Sequence, residues 1–242
     1  AFYKDIRDLL ALQSIRYDSE KYGPSNYAIY MNKDYGNVKG FTFSLTKRYD
    51  RVTKTSAFVD YTYQVTEGNS VKSGSFYYNA LSGEEEEKRI VPLAWDQRHI
   101  LNSTVSVGDP GNWNLGLISK LSSGWPYTPN IPDANYVPLS NSGRKPWQWR
   151  IDMRLHKNFK VGKFQYILYT KIYNLLDRRN ERYVFNDTGR AGYTYVSQST
   201  QETKGFVDHY GESGVHTWSE YQVRPQYYTA PRSINIGFSL DF

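Results

Sequence analysis

The stretch from 232 to 242 alternates strictly between apolar and polar residues. Its apolar positions are Ile234, Ile236, Phe238, Leu240 and Phe242. A period of two predicts a β-strand, and no helical period fits it. An exposed strand this long and apolar would be an aggregation hazard in a soluble sheet. In an outer-membrane barrel it would be an ordinary closing strand, apolar toward lipid and polar toward the lumen.

The same pattern predicts eight strands in one continuous series. Alternation and turn residues place them at about 2–16, 27–48, 52–66, 98–108, 112–126, 147–160, 163–176 and 232–242. The sixth segment is the sharpest, with apolar residues at odd positions from 147 to 155 and polar or charged residues at even positions from 148 to 156. A bulge or kink is expected near Asp34–Gly36 in the second segment.

The predicted connections alternate between short and long. The short ones are 47–51, 108–112 and 160–163, and the long ones are 17–26, 67–97, 127–146 and 186–230. Short periplasmic turns and long extracellular loops are typical of outer-membrane barrels. We therefore predict an all-β fold, an antiparallel transmembrane β-barrel segment that covers 1–242 as one domain. A soluble barrel with its apolar faces turned inward is the alternative.

Composition agrees with this prediction and excludes several classes of function. The 242 residues include 23 Tyr and 6 Trp, which favour places with one dry and one wet side. No apolar run approaches the roughly 20 residues of a membrane helix. The chain has no Cys, which excludes disulfides, thiolate metal sites and thiol catalysis. The net charge of +6 is scattered, so nucleic acid is not an expected partner. Because no signal peptide opens the chain, we expect either that it has been removed or that the chain is part of a longer protein.

Catalytic signals are weak. The four histidines, 99, 156, 209 and 216, lack the spacing of a metalloprotease motif, and neither a Gly-rich phosphate loop nor a nucleophile elbow is present. His209 and His216 near Asp208 and Glu212, and the acidic run 84–87, are better interpreted as solvated loops than as cation sites. We predict no catalytic residue, no metal and no cofactor.

Binding is the more plausible chemistry, because the long loops carry many aromatic and arginine side chains. The candidate ligand contacts are Arg98, Tyr127, Tyr136, Arg144, Arg190, Tyr210 and Trp218. Trp125, Trp147 and Trp149 are expected in a belt at the membrane interface on the long-loop rim. Inside the lumen, arginines are expected to pair with aspartates. The residues concerned are Arg98, Arg150 and Arg154 with Asp60, Asp96 or Asp152.

A series of motifs resembles the C-terminal part of TonB-dependent outer-membrane receptors, especially the subgroup with a carboxypeptidase-regulatory-like N-terminal domain. Pro92-Leu-Ala-Trp-Asp-Gln-Arg-His99, followed by Leu101-Asn102, is similar to the family's strand entry P-L-x-W-D-Q-R-H-x-L-N. Other matching segments, in order along the chain, are 3–8, 32–36, 38–40, 60–64, 67–69, 124–129, 174–180, 188–189 and 231–242. Their order and spacing extend over essentially the whole chain.

The resemblance implies a barrel of 22 strands, closed by an N-terminal plug, that imports a scarce nutrient with energy transmitted through TonB. The cargo would be an oligosaccharide, a peptide or a metal chelate, the location the outer membrane of a Gram-negative cell, and a surface lipoprotein a candidate partner. The chain resembles only the C-terminal third of such a barrel, so we expect its open edges to pair with the remaining strands. Phe242 would then be the residue for barrel closing and sorting. The alternatives are a free-standing eight-stranded adhesin or anchor and a soluble carbohydrate-binding module.

Overall fold

A computed structural model describes residues 1–19, 23–69, 89–109, 111–130, 138–195 and 223–241. The described residues form antiparallel β-structure and one short 3₁₀ helix, Pro225–Tyr227. The strands are β1 (Phe2–Ser19), β2 (Gly23–Asp50), β3 (Thr55–Gly68), β4 (Val91–Pro92), β5 (His99–Asp109), β6 (Trp113–Ser122), β7 (Pro126–Tyr127), β8 (Gly143–Arg144), β9 (Gln148–Val161), β10 (Phe164–Tyr173) and β11 (Ser233–Asp241). Within the described ranges no helix has the length and apolarity to cross a membrane.

The eight long strands lie where the alternation predicts them, and the all-β antiparallel prediction is confirmed. The long connection predicted at 17–26 is wrong. Tyr17 pairs with Ser25 and Ser19 with Gly23, so the β1–β2 ladder continues through most of that stretch. The polar residues, Gly and Pro of the stretch resemble a loop, but backbone pairing with the partner strand overrides this weak local preference.

The irregularity expected near Asp34–Gly36 is present and involves both strands. Ile6 pairs with Gly36 and Leu9 with Asp34, so β1 has one extra residue in this interval, where Asp8 has a φ of 59°. Leu10 then pairs with Asn32, so in the interval after Leu9 the extra residue lies in β2. Two successive bulges therefore cancel, and the hairpin keeps its register beyond them.

The main sheet has the order β1-β2-β3-β5-β6-β9-β10-β11, with β4 added to β3, while β7 and β8 form a separate pair. β1 and β11 stand at the two ends of this order, and no pairing between them occurs in the described residues. The chain divides into two compact units. The first unit comprises 1–41, 64–98 and 125–144, and the second unit comprises 42–63, 99–124 and 145–242.

In the second unit the cross-strand register brings most of the apolar positions of the long strands to one face. Val105 pairs with Leu117, Leu117 with Met153 and Met153 with Ile172, and directly paired residues point to the same side of a sheet. We call this side the apolar face. Its described members are Phe43, Leu45, Lys47, Tyr49, Thr55, Ala57, Val59, Tyr61, Tyr63, His99, Leu101, Ser103, Val105, Val107, Asp109, Trp113, Leu115, Leu117, Ser119, Leu121, Trp149, Ile151, Met153, Leu155, Lys157, Phe159, Val161, Phe164, Tyr166, Leu168, Thr170, Ile172, Ile234, Ile236, Phe238 and Leu240.

The opposite side, which we call the polar face, carries mostly hydrophilic and small side chains. Asp60 accepts a hydrogen bond from Ser44 Oγ (2.6 Å), and the hydroxyls of Thr42 and Thr62 lie 3.1 Å apart. Thr42 and Ser44 of β2 therefore lie on the same face as Asp60 and Thr62 of β3. The ionisable members from β5 to β10 are Lys120, Arg150, Asp152, Arg154, His156, Lys160 and Lys171.

The apolar face is open rather than packed against a second layer. Ile236 is 72 % exposed and Phe238 is 61 % exposed. No described member of this face is buried, and the buried aliphatic side chains of the second unit, Val184 and Ala191, lie outside its strands. A soluble barrel or sandwich would bury this face as its core. That arrangement is absent from the described strands.

A substitution at Gly108 tests the described backbone structure of the hairpin between β5 and β6. Its φ is 145°, and an added Cβ would lie 2.3 Å from the carbonyl oxygen of Trp113. Gly108→Ala should therefore lower the free energy of unfolding by about 2 kcal/mol or more, measured by urea titration of the protein refolded in detergent micelles. Gly111→Ala is the matched control, because its added Cβ would meet nothing closer than 3.9 Å. Equal stability of the two variants would contradict this description of the hairpin.

Candidate functional site

A fully buried carboxylate, Asp96, organises the loop region of the first unit. Its Oδ1 accepts the backbone N–H of Thr66 (2.8 Å), and its Oδ2 accepts the Nε–H of Arg98 (3.3 Å) and a hydrogen bond from Arg144 Nη2. Arg144 Nη1 also donates to the backbone oxygen of Asp96 (2.6 Å). Both oxygens of the buried carboxylate thus accept hydrogen bonds. A buried charge without such partners would strongly destabilise the fold.

The β7–β8 pair positions Arg144 beside the Asp96 carboxylate. Pro126 pairs with Arg144 and Tyr127 with Gly143. The ring of Tyr127 occupies the space beside Gly143, where an added Cβ would lie 2.6 Å from it. Asn141, which has a φ of 56°, fastens the same segment by donating from Nδ2 to the oxygen of Pro92 (2.7 Å). These contacts hold residues 126–127 and 141–144 against the chain around Asp96.

Three of the predicted binding residues, Arg98, Arg144 and Tyr127, therefore lie in one region of the first unit. Both guanidinium groups meet at Asp96, and Arg98 also lies 3.9 Å from Glu67. About a third of each arginine side chain remains exposed, 37 % for Arg98 and 31 % for Arg144. The primary role visible here is to neutralise a buried carboxylate, and the exposed edges remain candidates for ligand contact.

Asp96→Asn removes the charge that holds the two arginines while it keeps the shape of the side chain. We expect a loss of about 3 kcal/mol in unfolding free energy, because breaking one side of a buried ion pair leaves uncompensated charge. Urea titration in micelles measures the loss.

Asp109→Asn is the matched control for that experiment. Its ion pair with Lys54 (3.5 Å) is about half exposed on both sides, so removing it should cost less than about 1 kcal/mol. Equal effects of the two substitutions would contradict the structural role of Asp96.

In the second unit the segment 174–180 joins β9, β10 and the chain before β11. Asn180 donates from Nδ2 to Trp149 O (2.8 Å), and its Oδ1 accepts Trp149 N–H (2.9 Å). Its side chain therefore makes the two hydrogen bonds to Trp149 that the backbone of a paired strand would make. Asn174, with a φ of 54°, donates from its own N–H to Asp152 Oδ1 (2.9 Å) and from Nδ2 to Ala230 O (3.1 Å). The asparagines therefore terminate β10 and satisfy open backbone groups beside it.

Arg190 lies in an ion pair within the next loop. Its Nη2 and Nε donate to Glu181 Oε1 at 2.8 and 3.0 Å, and Glu181 Oε2 accepts the N–H of Ala191. The Glu181 carboxylate raises the pKa of Arg190 above its already high ordinary value. Sequence reasoning singled out Arg190 but missed Glu181, whose role depends on the fold of the loop.

Trp147 and Trp149 lie at the end of β9 that faces the long connections. The ring of Trp147 stacks on His99 with 5.5 Å between centroids, and Tyr63 contacts His99 from another side at 5.2 Å. Tyr61 Oη and His99 Nδ1 are 2.9 Å apart, within hydrogen-bond distance. Trp149 Nε1 donates to Ser119 Oγ (3.3 Å). The Trp149 ring therefore combines an apolar body with a satisfied polar atom, as interfacial aromatic residues do. In the first unit, Trp125 is 41 % exposed.

Two of the expected arginine–aspartate pairs are present in the structure. Arg98 pairs with Asp96, and Arg150 donates to Asp152 Oδ2 from Nε (3.1 Å) and Nη2 (2.5 Å). Arg154 lies two residues farther along β9, directly opposite Lys171 rather than an acid.

Several predicted residues lie outside the described residues. Tyr136, Tyr210, Trp218 and Phe242 belong to this group, as do the loop histidines and the acidic run at 84–87. Among the residues that the structure describes, no three His, Asp or Glu side chains are grouped to hold a metal.

The environment of Lys145 predicts a pH dependence. It donates to Arg182 O (3.2 Å) and lies 5.6 Å from the ring centre of Tyr183, and burial lowers its pKa from the ordinary value. Between that lowered pKa and the ordinary value, the unfolded chain retains a proton that the folded state has lost, so the contribution of Lys145 to stability rises with pH. Relative to Lys145→Met, the original chain should gain stability as the pH is raised through this window, as followed by urea midpoints. A pH-independent difference would contradict the assignment.

Comparison with known proteins supports the fold. No family model matches the chain, and no curated protein matches it. The outer membrane transporter YddB from Escherichia coli is structurally similar, with a TM-score of 0.55 and 14% sequence identity over 76% of this chain. The chain spans about a quarter (27%) of the transporter's length. The described sheet thus has a fold similar to part of an outer-membrane transporter.

Proposed function

We propose that this chain forms part of the wall of an outer-membrane transport barrel. Its apolar face would contact lipid, and its polar face would line an aqueous interior. The observation that carries the proposal is the exposed apolar face, because a water-soluble protein rarely leaves so large an apolar surface uncovered. The fold similarity to an outer membrane transporter supports the same proposal.

The height of the apolar face supports a lipid environment. Along β9 this face runs from Trp149 to Phe159, ten residue steps, or about 33 Å at about 3.3 Å per residue. For a strand tilted by about 40°, as in transmembrane barrels, the height becomes about 25 Å, the height of their apolar band. Aromatic residues stand at both limits, as in the two aromatic girdles of such barrels.

Charged residues of the apolar face stand near the short turns. Within the described strands of the second unit they are Lys47, Asp109 and Lys157. Lys157 donates to Asn112 Oδ1 and lies over the ring of Phe159 (5.8 Å). Its stem can therefore cross apolar surface while its ammonium group reaches the polar turn. This placement avoids a charge at the middle of the band, where lipid would penalise it.

The resemblance to TonB-dependent receptors supplies a more specific proposal. The open ends of the sheet at β1 and β11 would pair with the rest of a larger barrel, because unpaired edges are unfavourable in lipid. That barrel would hold a plug, draw energy through TonB and import a nutrient, with long loops outside the cell. Arg98, Tyr127, Arg144 and Arg190 are then candidate contacts for the cargo or for a surface lipoprotein.

Adjacent residues of β6 test which face meets lipid. Leu117 belongs to the apolar face and Ile118 to the polar face, so Leu117→Arg and Ile118→Arg make similar chemical changes on opposite sides. Leu117→Arg should destabilise the bilayer-inserted protein by about 2–4 kcal/mol, whereas Ile118→Arg should cost about 1 kcal/mol or less. Urea titration of protein refolded into phospholipid vesicles measures both. Equal costs, or a greater cost for Ile118→Arg, would contradict the proposal.

A further inference from the structure

Cations meet on three neighbouring strands of the polar face. Lys120 of β6 pairs directly with Arg150 of β9, and Arg154 of β9 pairs directly with Lys171 of β10. Directly opposed residues have Cβ atoms about 5 Å apart, and like charges in such positions destabilise a sheet. The sheet therefore places four cationic side chains on one face in two unfavourable pairs.

Neutralisation within the described residues is incomplete. Arg150 is paired with Asp152, whose Oδ1 is occupied by the N–H of Asn174. No described carboxylate forms an ion pair with Lys120, Arg154 or Lys171, and Lys171 instead lies 5.1 Å from the ring centre of Tyr169. The Arg154–Lys171 pair thus has two positive charges with no described counter-charge.

The surface beside this pair is accessible. Arg154 is exposed, and the residue opposite it on β6 is Gly116. An added Cβ at Gly116 would meet no atom closer than 3.9 Å, so the polar face is open at this position. A small solute can therefore approach Arg154 from the side of β6, where Gly116 carries no side chain.

We propose that this cationic surface binds the carboxylate or phosphate groups of a small anionic solute, with Arg154 and Lys171 as the principal contacts and Lys120 with Arg150 as a second, weaker pair. The two pairs are four residue steps apart along β9, about 13 Å. Asp152 lies between them, which favours a solute with separate anionic groups over a continuous acidic peptide. The inference rests on the proposed function, since the polar face must line an aqueous path. It adds that the solute in this path is negatively charged.

Calorimetric titration of the full chain in neutral detergent micelles tests the site, with tripolyphosphate as the probe at low salt. The original chain should bind the probe, and binding should weaken as sodium chloride is raised. Arg154→Gln and Lys171→Gln should each lower the affinity at least about three-fold, and the double variant should lower it further. Lys163→Gln, which removes the same charge from the turn between β9 and β10, is the matched control and should bind like the original chain.

Absence of binding, or equal affinities of all four variants, would overturn the inference. Tighter binding of poly-glutamate than of tripolyphosphate would also overturn it, in favour of an acidic protein segment as the occupant. Incorporation into phospholipid vesicles is measured on the same samples. Vesicle incorporation without probe binding refutes this site and leaves the transport barrel standing, whereas probe binding by a protein that stays in detergent-free buffer refutes the barrel instead.

Discussion

Cross-strand register is the constraint on which the rest of the second unit depends. Side chains alternate between the two sides of a strand, so a shift of one residue between neighbours would move a whole set of side chains to the opposite face. From β5 to β10 the observed register keeps Val105, Leu117, Met153 and Ile172 in one row. The separation into an apolar and a polar face follows from that alignment, and so does the case for a lipid surface on one side and water on the other.

Buried polar contacts stabilise the segments between strands, where alternation gives no support. In the first unit Asp96 gathers Thr66, Arg98 and Arg144. In the second unit Asn174 and Asn180 bind backbone groups that the strands leave open. These contacts satisfy donors and acceptors away from water, and each of the three polar side chains connects segments distant in sequence.

The strands could be predicted from sequence because their signal is local. In β9 the alternation of Trp149, Ile151 and Met153 with charged residues is visible without any partner. The pairing of Tyr17 with Ser25 and of Ser19 with Gly23 was missed because the residues of this stretch carry turn signals. The tandem bulge near Asp34 was located because Gly36 interrupts the pattern there.

The candidate site was predictable only in part. Arg98 and Arg144 stood out as loop cations, but their convergence on Asp96 depends on the β7–β8 pair, which brings Arg144 to an aspartate 48 residues away. The opposed cations at Arg154 and Lys171 required the register between β9 and β10, since each residue alone looks like an ordinary polar-face position. Local pattern predicts which way a side chain points, whereas long-range pairing decides what it meets.

A single-cysteine scan of β9 from 148 to 156 tests the central claim most directly, and the absence of native cysteine makes the labelling unambiguous. Spin labels on the protein in phospholipid vesicles report collision with oxygen, which concentrates in lipid, and with a water-soluble nickel chelate. Oxygen accessibility should peak at 149, 151, 153 and 155, and nickel accessibility at the even positions between them. A profile without period two, or one with the opposite phase, would contradict the account.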